Sequence, residues 1–117
     1  MHEDPTSFIP LSSSNLYILL SLADEDRHGY GIMQEVARQS EGRYKLGPGT
    51  LYDNLRKMLD NGMVEETGKL ARDDDPRRRY YRLSGFGKTV LRAEITRLED
   101  VVQHARLRLR PAPGRRV

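Results

Sequence analysis

A polar stripe in the middle of the chain carries the side chains with the most specific chemistry. Within the segment GTLYDNLRKMLDNGMVEETG, residues 49–68, Thr50, Asn54 and Lys57 recur at intervals of four and three residues. That spacing places them on one face of a helix. A hydroxyl, an amide and an ammonium group supply the donors, acceptors and positive charge that contact base edges and phosphates. The pattern therefore indicates a surface for a polar, negatively charged partner, although a solvated helix face has the same pattern.

The opposite face of this helix is apolar and consists of Leu51, Leu55, Met58 and Leu59. Pro48 suits a first helical turn, because its missing N–H would have no partner there. Asn61 and Gly62 are typical of a helix end, so we expect the helix to finish at Leu59 or Asp60. The leucines should hold the helix on a core and leave its polar face outward.

Further candidate contacts lie on both sides of the stripe, namely Lys45, Gly49, Tyr52, Arg77, Arg78 and Arg79. Tyr52 lies between the two helix faces, so its hydroxyl could contact a phosphate or its ring could pack on the scaffold. In a strand, Arg77 and Arg79 would point to one face and Arg78 to the other. We therefore expect at most one or two of these arginines to contact a polyanion. Neutralisation by the preceding Asp73–Asp75 is the alternative.

The residue types that perform catalysis are scattered. The three histidines are far apart in sequence, and the chain has no cysteine. Asp73–Asp75 could attract a cation, but the triplet lacks the spaced ligands and the glycine of a calcium loop. There is no nucleophile motif and no glycine-rich phosphate loop. We expect neither an enzyme nor a metal or cofactor site.

Composition limits the class of protein. The 117 residues suffice for one domain with a modest core, and charged residues make up 32% of the chain. The net charge is only +3, but Lys and Arg outnumber Asp and Glu by 12 to 7 between Arg43 and Arg92. A local basic excess favours an anionic partner, most often nucleic acid. No apolar run could span a membrane, and the start has no signal-peptide pattern, so a cytoplasmic location is expected.

The remaining elements can be read from periodicity and breakers. SSSNLYILLSLADE predicts a first helix capped by Ser13 or Ser14, and a second helix should run from Tyr30 to about Gln39. The second helix should place Tyr30, Met33, Val36 and Ala37 inward. RYKL, residues 43–46, could form one short edge strand. MVEETGKL and RRRYYRL predict a β-hairpin with the polar tip ARDDDP between them.

The last helix is long and carries an apolar seam. Ser84 should cap it, and apolar residues then alternate at intervals of four and three, namely Leu91, Ile95, Leu98, Val102, Ala105 and Leu109. This is the repeat of a coiled coil. A helix of about 25 residues would be nearly 40 Å long at 1.5 Å per residue. We expect part of the seam to cover the domain and the rest to meet a second copy.

The element order predicts a mainly α fold with a small β-hairpin, a winged helix-turn-helix followed by a long C-terminal dimerisation helix. In that plan the third helix enters the major groove, and the hairpin, or wing, reaches the neighbouring backbone. The expected divisions are an N-terminal arm at 1–10, the winged-helix domain at 11–84, the dimerisation helix at 85–110 and a disordered basic tail at 111–117.

Four segments of the chain resemble the PadR family of transcriptional regulators: NLYILLSL, HGYGIMQEV, GTLYDNLRKMLDNGMVEE and RRRYYRLSGFGKTVL. The resemblance implies a cytoplasmic, dimeric DNA-binding repressor whose C-terminal helix forms the dimer contact. The chain is similar to the short form with a single such helix. Asp53 departs from the proline that many members have after the LY pair. It could cap locally, accept from a cytosine amino group or pair with Lys57.

These observations predict a homodimer that binds a pseudo-palindromic operator on double-stranded DNA. A regulator also needs an input, and a small-molecule effector between the first and last helices is a compatible hypothesis. The alternative is a winged-helix adaptor that binds other proteins and no operator.

Overall fold

The computed structural model of the chain describes residues 4–68 and 78–111. After a short 3-10 helix at Pro5–Phe8, the elements are α1 (Ser13–Ser21), β1 (Arg27–His28), α2 (Gly29–Gln39), α3 (Pro48–Asp60), β2 (Val64–Thr67), β3 (Tyr80–Leu83) and α4 (Gly85–Leu109). Helices predominate and the strands are short, as predicted for a winged helix with a long final helix. The wing tip, Arg77 and residues 112–117 of the C-terminal tail lie outside the described residues.

The helix ends follow local capping chemistry. Ser84 Oγ accepts a hydrogen bond from the Gly87 N–H at 2.9 Å, which confirms it as the α4 cap. Gly62 adopts a positive φ of 79° directly after α3, as its position after the predicted helix end requires. The cap of α1 is Ser12 rather than Ser13 or Ser14, because Ser12 Oγ accepts from the Asn15 N–H. In a run of three serines, the cap is the one with extended backbone.

The sheet has three antiparallel strands in the order β1, β3, β2. The hairpin of β2 and β3 was predicted, and Val64 pairs with Leu83 and Thr67 with Tyr80. The prediction of an edge strand at residues 43–46 is wrong, because the third strand is Arg27–His28. That strand pairs with Tyr80 and Tyr81, which puts β3 in the centre of the sheet. Both tyrosines are therefore buried, although strand alternation predicts opposite faces.

The core is formed by one face of each helix and the inner sheet residues. Helix α3 contributes the fully buried Leu51, Leu55 and Met58, as its apolar face predicted. Helix α2 contributes Ile32 and Val36, whereas Tyr30 is 62% exposed. The prediction that Tyr30 points inward is wrong, because α2 begins at Gly29 and its buried face contains Ile32 and Val36 instead.

The first turns of α4 close the core, and the remainder extends past the domain. Val90 and Leu91 are buried, but every residue from Glu99 to Arg110 is exposed. The molecule measures 65 × 36 × 24 Å along its principal axes. The length is consistent with a helix that continues beyond what its own domain can cover.

The segment before α1 packs on α4. The Phe8 and Phe86 rings meet edge to face at 5.7 Å. The Leu11 N–H donates to Glu94 Oε2 at 2.9 Å, and Arg97 Nε donates to Glu94 Oε1 at 2.6 Å. Glu94 is 1% exposed, so both bonds form in a largely dry setting. These contacts fix the start of the described chain to the last helix.

Candidate nucleic-acid interface

The outward face of α3 carries the polar stripe. Thr50 and Lys57 are exposed and Asn54 is half-buried. Leu51 and Leu55 lie behind them in the core, so packing fixes the direction in which the stripe points. The structure brings these three predicted residues together on one surface.

Tyr52 connects α3 to the start of α2. Its hydroxyl lies so close to Gly29 that a Cβ added there would be 2.1 Å from the oxygen. Glycine at this position permits that approach. Tyr52 is 45% exposed, so it packs on the scaffold and still presents part of its side chain at the surface. The two roles that the sequence left open are compatible.

A surface pocket lies where α2, α3 and β3 meet. It is lined by His28, Gly29, Tyr30, Tyr52, Arg78, Arg79 and Tyr81. Four of these residues were not candidate contacts from the sequence: His28, Gly29, Tyr30 and Tyr81. The signal available in the sequence was HGYG at residues 28–31, where a histidine precedes a helix start, but only the fold brings it beside the wing.

His28 makes specific contacts on both ring nitrogens. Its Nδ1 accepts a hydrogen bond from the Gly31 N–H at 3.0 Å and so caps α2. Its Nε2 lies 3.3 Å from Arg78 Nη1. The ring also meets Tyr80 edge to face at 5.3 Å. The backbone pairing of β1 with β3 holds the imidazole next to the wing.

Two arginines in the described part of the wing, Arg79 and Arg82, are paired with acids. Arg79 Nη1 lies 3.1 Å from Glu66 Oε1 on β2, and Arg82 Nη2 lies 3.1 Å from Asp26 Oδ2. Burial, followed by the nearby Glu66 carboxylate, raises the pKa of Tyr81 above its usual value of 10. Arg78 and Arg79 are exposed at the surface near α3, as a phosphate contact would require.

The remaining predicted contacts lie around the start of α3. Lys45 is exposed in the connection before the helix, and Gly49 is exposed in its first turn. A Cβ added at Gly49 would meet no atom within 4 Å, so packing does not explain the glycine. Asp53 is exposed beside Asn54, and its role stays a prediction.

A dense ion-pair cluster stabilises the far end of α2. Arg38 Nε donates to Glu35 Oε1 at 2.8 Å, and Arg27 Nη2 approaches the same oxygen at 3.7 Å. The Arg38 hydrogen bond is the main reason that the pKa of Glu35 falls to about 2, despite desolvation. These ion pairs connect α2 to β1, the strand that precedes it.

The seam of α4 divides into a covered and an open part. Leu91 is 5% exposed and packs in the core of its own chain, whereas Ile95, Val102 and Leu109 are exposed. Leu98 is half-buried and Ala105 is exposed. A groove lined by Ile95, Leu98, Val102 and Leu107 runs along this open face.

Two further properties of the described segments, residues 4–68 and 78–111, bear on function. None of their helices combines the length and apolarity needed to cross a bilayer. Their His, Asp and Glu side chains form no cluster that could bind a metal ion. Asp73–Asp75 lie outside these segments, so the structure does not test the expectation for that triplet.

Comparison with known proteins identifies relatives across most of the chain. Residues 18–93 match the Transcriptional regulator PadR-like family. The transcriptional regulator Rv3488 of Mycobacterium tuberculosis is 31% identical over 88 residues, which cover 75% of this chain and 78% of that protein.

Solved structures share the fold. A PadR family transcription regulator from Clostridium difficile superposes with a TM-score of 0.68 and 24% identity, covering 85% of this chain and all of that one. Bacillus subtilis PadR in complex with operator DNA superposes with a TM-score of 0.63 and 18% identity. That match covers 92% of this chain and 54% of the Bacillus chain.

The family match agrees with the winged-helix architecture and with the prediction of a regulator rather than an enzyme. It spans α2, α3 and both described wing strands, which together build the polar surface. The chain belongs to the PadR-like family of transcriptional regulators.

Proposed function

We propose that the chain is a DNA-binding regulator that inserts α3 into the major groove and lays the wing on the neighbouring backbone. The observation that carries this proposal is the surface of Thr50, Asn54 and Lys57, held outward by a buried leucine face and flanked by Arg78. A B-DNA major groove about 12 Å wide admits one helix. The structure of Bacillus subtilis PadR in complex with operator DNA, which shares this fold, supports DNA as the partner.

The active form is proposed to be a homodimer that pairs through α4. Ile95, Val102 and Leu109 form an exposed apolar stripe, and Leu109 is 82% exposed. Covering such a stripe with a second copy removes apolar area from water. Two-fold symmetry would then present two α3 helices about 34 Å apart, one turn of DNA, to a pseudo-palindromic operator.

Regulation is proposed to be repression in the cytoplasm, relieved by an effector at the dimer interface. A pocket between the end of α1 and α4 is lined in part by Leu91 and Ile95, with Lys88 and Arg92 beside them. The two cations favour an acidic ligand with an apolar body. Such a ligand changes DNA affinity only by its differential binding to two dimer geometries.

Selection of bound duplexes from random DNA tests the function directly. The expected result is enrichment of a two-fold symmetric motif with half-sites one helical turn apart. A dimer that enriches no sequence and binds no duplex at low ionic strength would overturn the proposal and favour the protein-binding adaptor.

Calorimetry tests the effector separately. Aromatic carboxylic acids are expected to bind, and cationic aromatics of similar size serve as the charge control. Lys88→Ala should weaken the binding of acids. If no compound in either class binds, the effector proposal fails while DNA binding stands.

A further inference from the structure

We propose that Glu94 is a positioning residue for operator recognition, because it holds the N-terminal segment on α4 at the point where that helix leaves its own domain. The contact sets the direction of α4, and with it the distance between the two α3 helices of the dimer. This inference rests on the proposed function and adds to it the side chain that selects the spacing of the half-sites.

Glu94 lies at the boundary between the covered and the open part of α4. It is 1% exposed and is the last buried residue of the helix, whereas Ile95 is already 39% exposed. The part beyond the boundary, Ile95 to Leu109, extends about 22 Å at 1.5 Å per residue. A tilt of about 10° at Glu94 therefore moves the far end by about 4 Å, close to the rise of about 3.4 Å per base pair.

The Glu94 carboxylate accepts hydrogen bonds from two parts of the chain. The Leu11 N–H donates to Oε2 at 2.9 Å, while Arg97 donates from Nε to Oε1 at 2.6 Å and from Nη2 to Oε2 at 3.0 Å. All three partners are donors, so both oxygens must act as acceptors. Leu11 immediately precedes Ser12, the cap of α1. The buried carboxylate therefore connects the start of α1 to α4.

A second contact between the same segment and α4 makes the connection directional. The Phe8 ring meets Phe86, in the first turn of α4, edge to face at 5.7 Å. Phe86 and Glu94 are about 12 Å apart along the helix. A single contact would allow α4 to swing about that point, whereas two contacts at this separation hold its direction. The 3-10 helix that carries Phe8 has its own cap, since Asp4 accepts from the Thr6 N–H.

A fixed direction of α4 gives the dimer one separation of its α3 helices before it meets DNA. Only an operator of matching spacing then binds without deforming the protein. If the direction were free, the dimer would sample several separations, and each would have to be ordered on binding. Loss of the Glu94 contact should therefore flatten the spacing preference and leave the half-site sequence unchanged.

Binding to operators of varied spacing tests the role of Glu94. Glu94→Gln replaces one acceptor oxygen by an NH₂ group, which must face a donor from Leu11 or Arg97. The wild type should prefer its selected spacing about tenfold over spacings one base pair longer or shorter. Glu94→Gln should reduce this preference to about threefold or less. Fluorescence anisotropy measures both, and Glu99→Gln, an exposed change on the same helix, is the control.

A distance measurement without DNA provides a second readout. The chain has no cysteine, so Asp60→Cys, exposed at the end of α3, introduces one spin label per chain. Pulsed electron paramagnetic resonance should give a narrow distribution of distances between the two labels of a dimer. Adding Glu94→Gln should broaden it. Val36→Ala, which leaves a cavity in α2, also lowers stability but should leave the distribution narrow.

The outcomes separate this inference from the proposed function. If the wild type selects two half-sites but Glu94→Gln keeps the spacing preference and the narrow distances, the positioning role is wrong and the proposed function stands. Equal broadening in Val36→Ala would also overturn that role. If the wild type enriches no symmetric motif, the proposed function fails, while the label distances still test Glu94. A monomeric wild type contradicts both. If Glu94→Gln does not fold, Phe8→Ala removes the other contact and takes its place.

Discussion

Asn54 and Lys57 are neighbours on one turn of α3 but offer different chemistry to DNA. An amide can form a bidentate pair with adenine, whereas an ammonium neutralises phosphates regardless of sequence. Asn54 is half-buried, so packing restricts its rotamers, and Lys57 is exposed. The first residue should determine specificity and the second should contribute general affinity.

Replacing each of these residues by alanine separates the two roles. Asn54→Ala should cost about 1–3 kcal/mol of discrimination at one base pair. Lys57→Ala should weaken binding to all sequences and reduce the salt slope by about one. Fluorescence anisotropy on the selected operator and single-base variants measures both effects. Unchanged operator affinity in both variants would refute the assignment of α3.

Glu94 is the buried charge that connects the N-terminal segment to α4. The hydrogen bond from Arg97, aided by that from Leu11, holds the pKa of Glu94 below its usual value of 4.5 despite burial. Because the folded-state pKa is the lower one, the carboxylate stabilises the fold above pH 4.5. That stabilisation is lost as the pH falls through the folded-state value.

Glu94→Gln should therefore lower the free energy of unfolding by about 1–2 kcal/mol at pH 7. The difference from the wild type should shrink as the pH falls below 4.5. Urea denaturation at a series of pH values measures it, with Glu99→Gln as the control because Glu99 is exposed on the same helix. Equal effects of the two substitutions would contradict the role of Glu94.

At the scale of elements, the first turn of α4 packs tightly on the turn before β2. A Cβ added to Gly87 would lie 2.0 Å from the Met63 carbonyl oxygen, which is backbone and cannot move aside easily. A Cβ added to Gly85, in the same turn, would meet no atom within 4 Å. Both glycines lie in the first turn after Ser84, but only Gly87 is in tight contact with another element.

Gly87→Ala should destabilise the fold by about 1–3 kcal/mol, because the helix must shift from the hairpin. Gly85→Ala should change stability by less than about 0.5 kcal/mol. Chemical denaturation of both variants measures the difference. If Gly85→Ala proved as costly as Gly87→Ala, the cause would be backbone conformation rather than the contact with Met63.

Elements whose signals are local could be predicted from the sequence. The end of α3 at Asp60, the Ser84 cap and the 25-residue α4 each depend on residues within one or two turns. Strand β1 could not be predicted, because its two residues form a strand only when β3 supplies their partners. The burial of Glu94 could not be predicted either, because the N-terminal segment that covers it is more than 80 residues away in the sequence.

The candidate site also has one part that could be predicted from the sequence and one part that could not. The polar stripe of Thr50, Asn54 and Lys57 was predictable, because helical periodicity alone places it. The pairing of His28 with Arg78 joins residues 50 positions apart and depends on the sheet register. Composition and spacing carry no information about that register.

At the scale of the whole molecule, the exposed seam on α4 is the proposed dimer surface. Val102 lies on the seam and is 47% exposed, while Val101 lies one residue away and is 50% exposed. One residue is a rotation of about 100° around a helix, so the two valines point in different directions. They form a matched pair for testing which face is covered.

Val102→Asp should raise the dimer dissociation constant by at least about 100-fold, because each interface would bury an unpaired charge. Val101→Asp should have a much smaller effect. Sedimentation equilibrium measures both, and circular dichroism checks that the monomer stays folded. Dimers of unchanged strength in Val102→Asp would move the interface to another face.

The most direct test of the whole account is sedimentation of the wild-type chain with its selected duplex at low ionic strength, repeated after five base pairs are inserted between the half-sites. A homodimer on a two-fold symmetric operator should give two chains per duplex and a large loss of affinity on insertion, because half a turn puts the second half-site on the opposite side of the DNA. One chain per duplex, or equal affinity for both spacings, would contradict it.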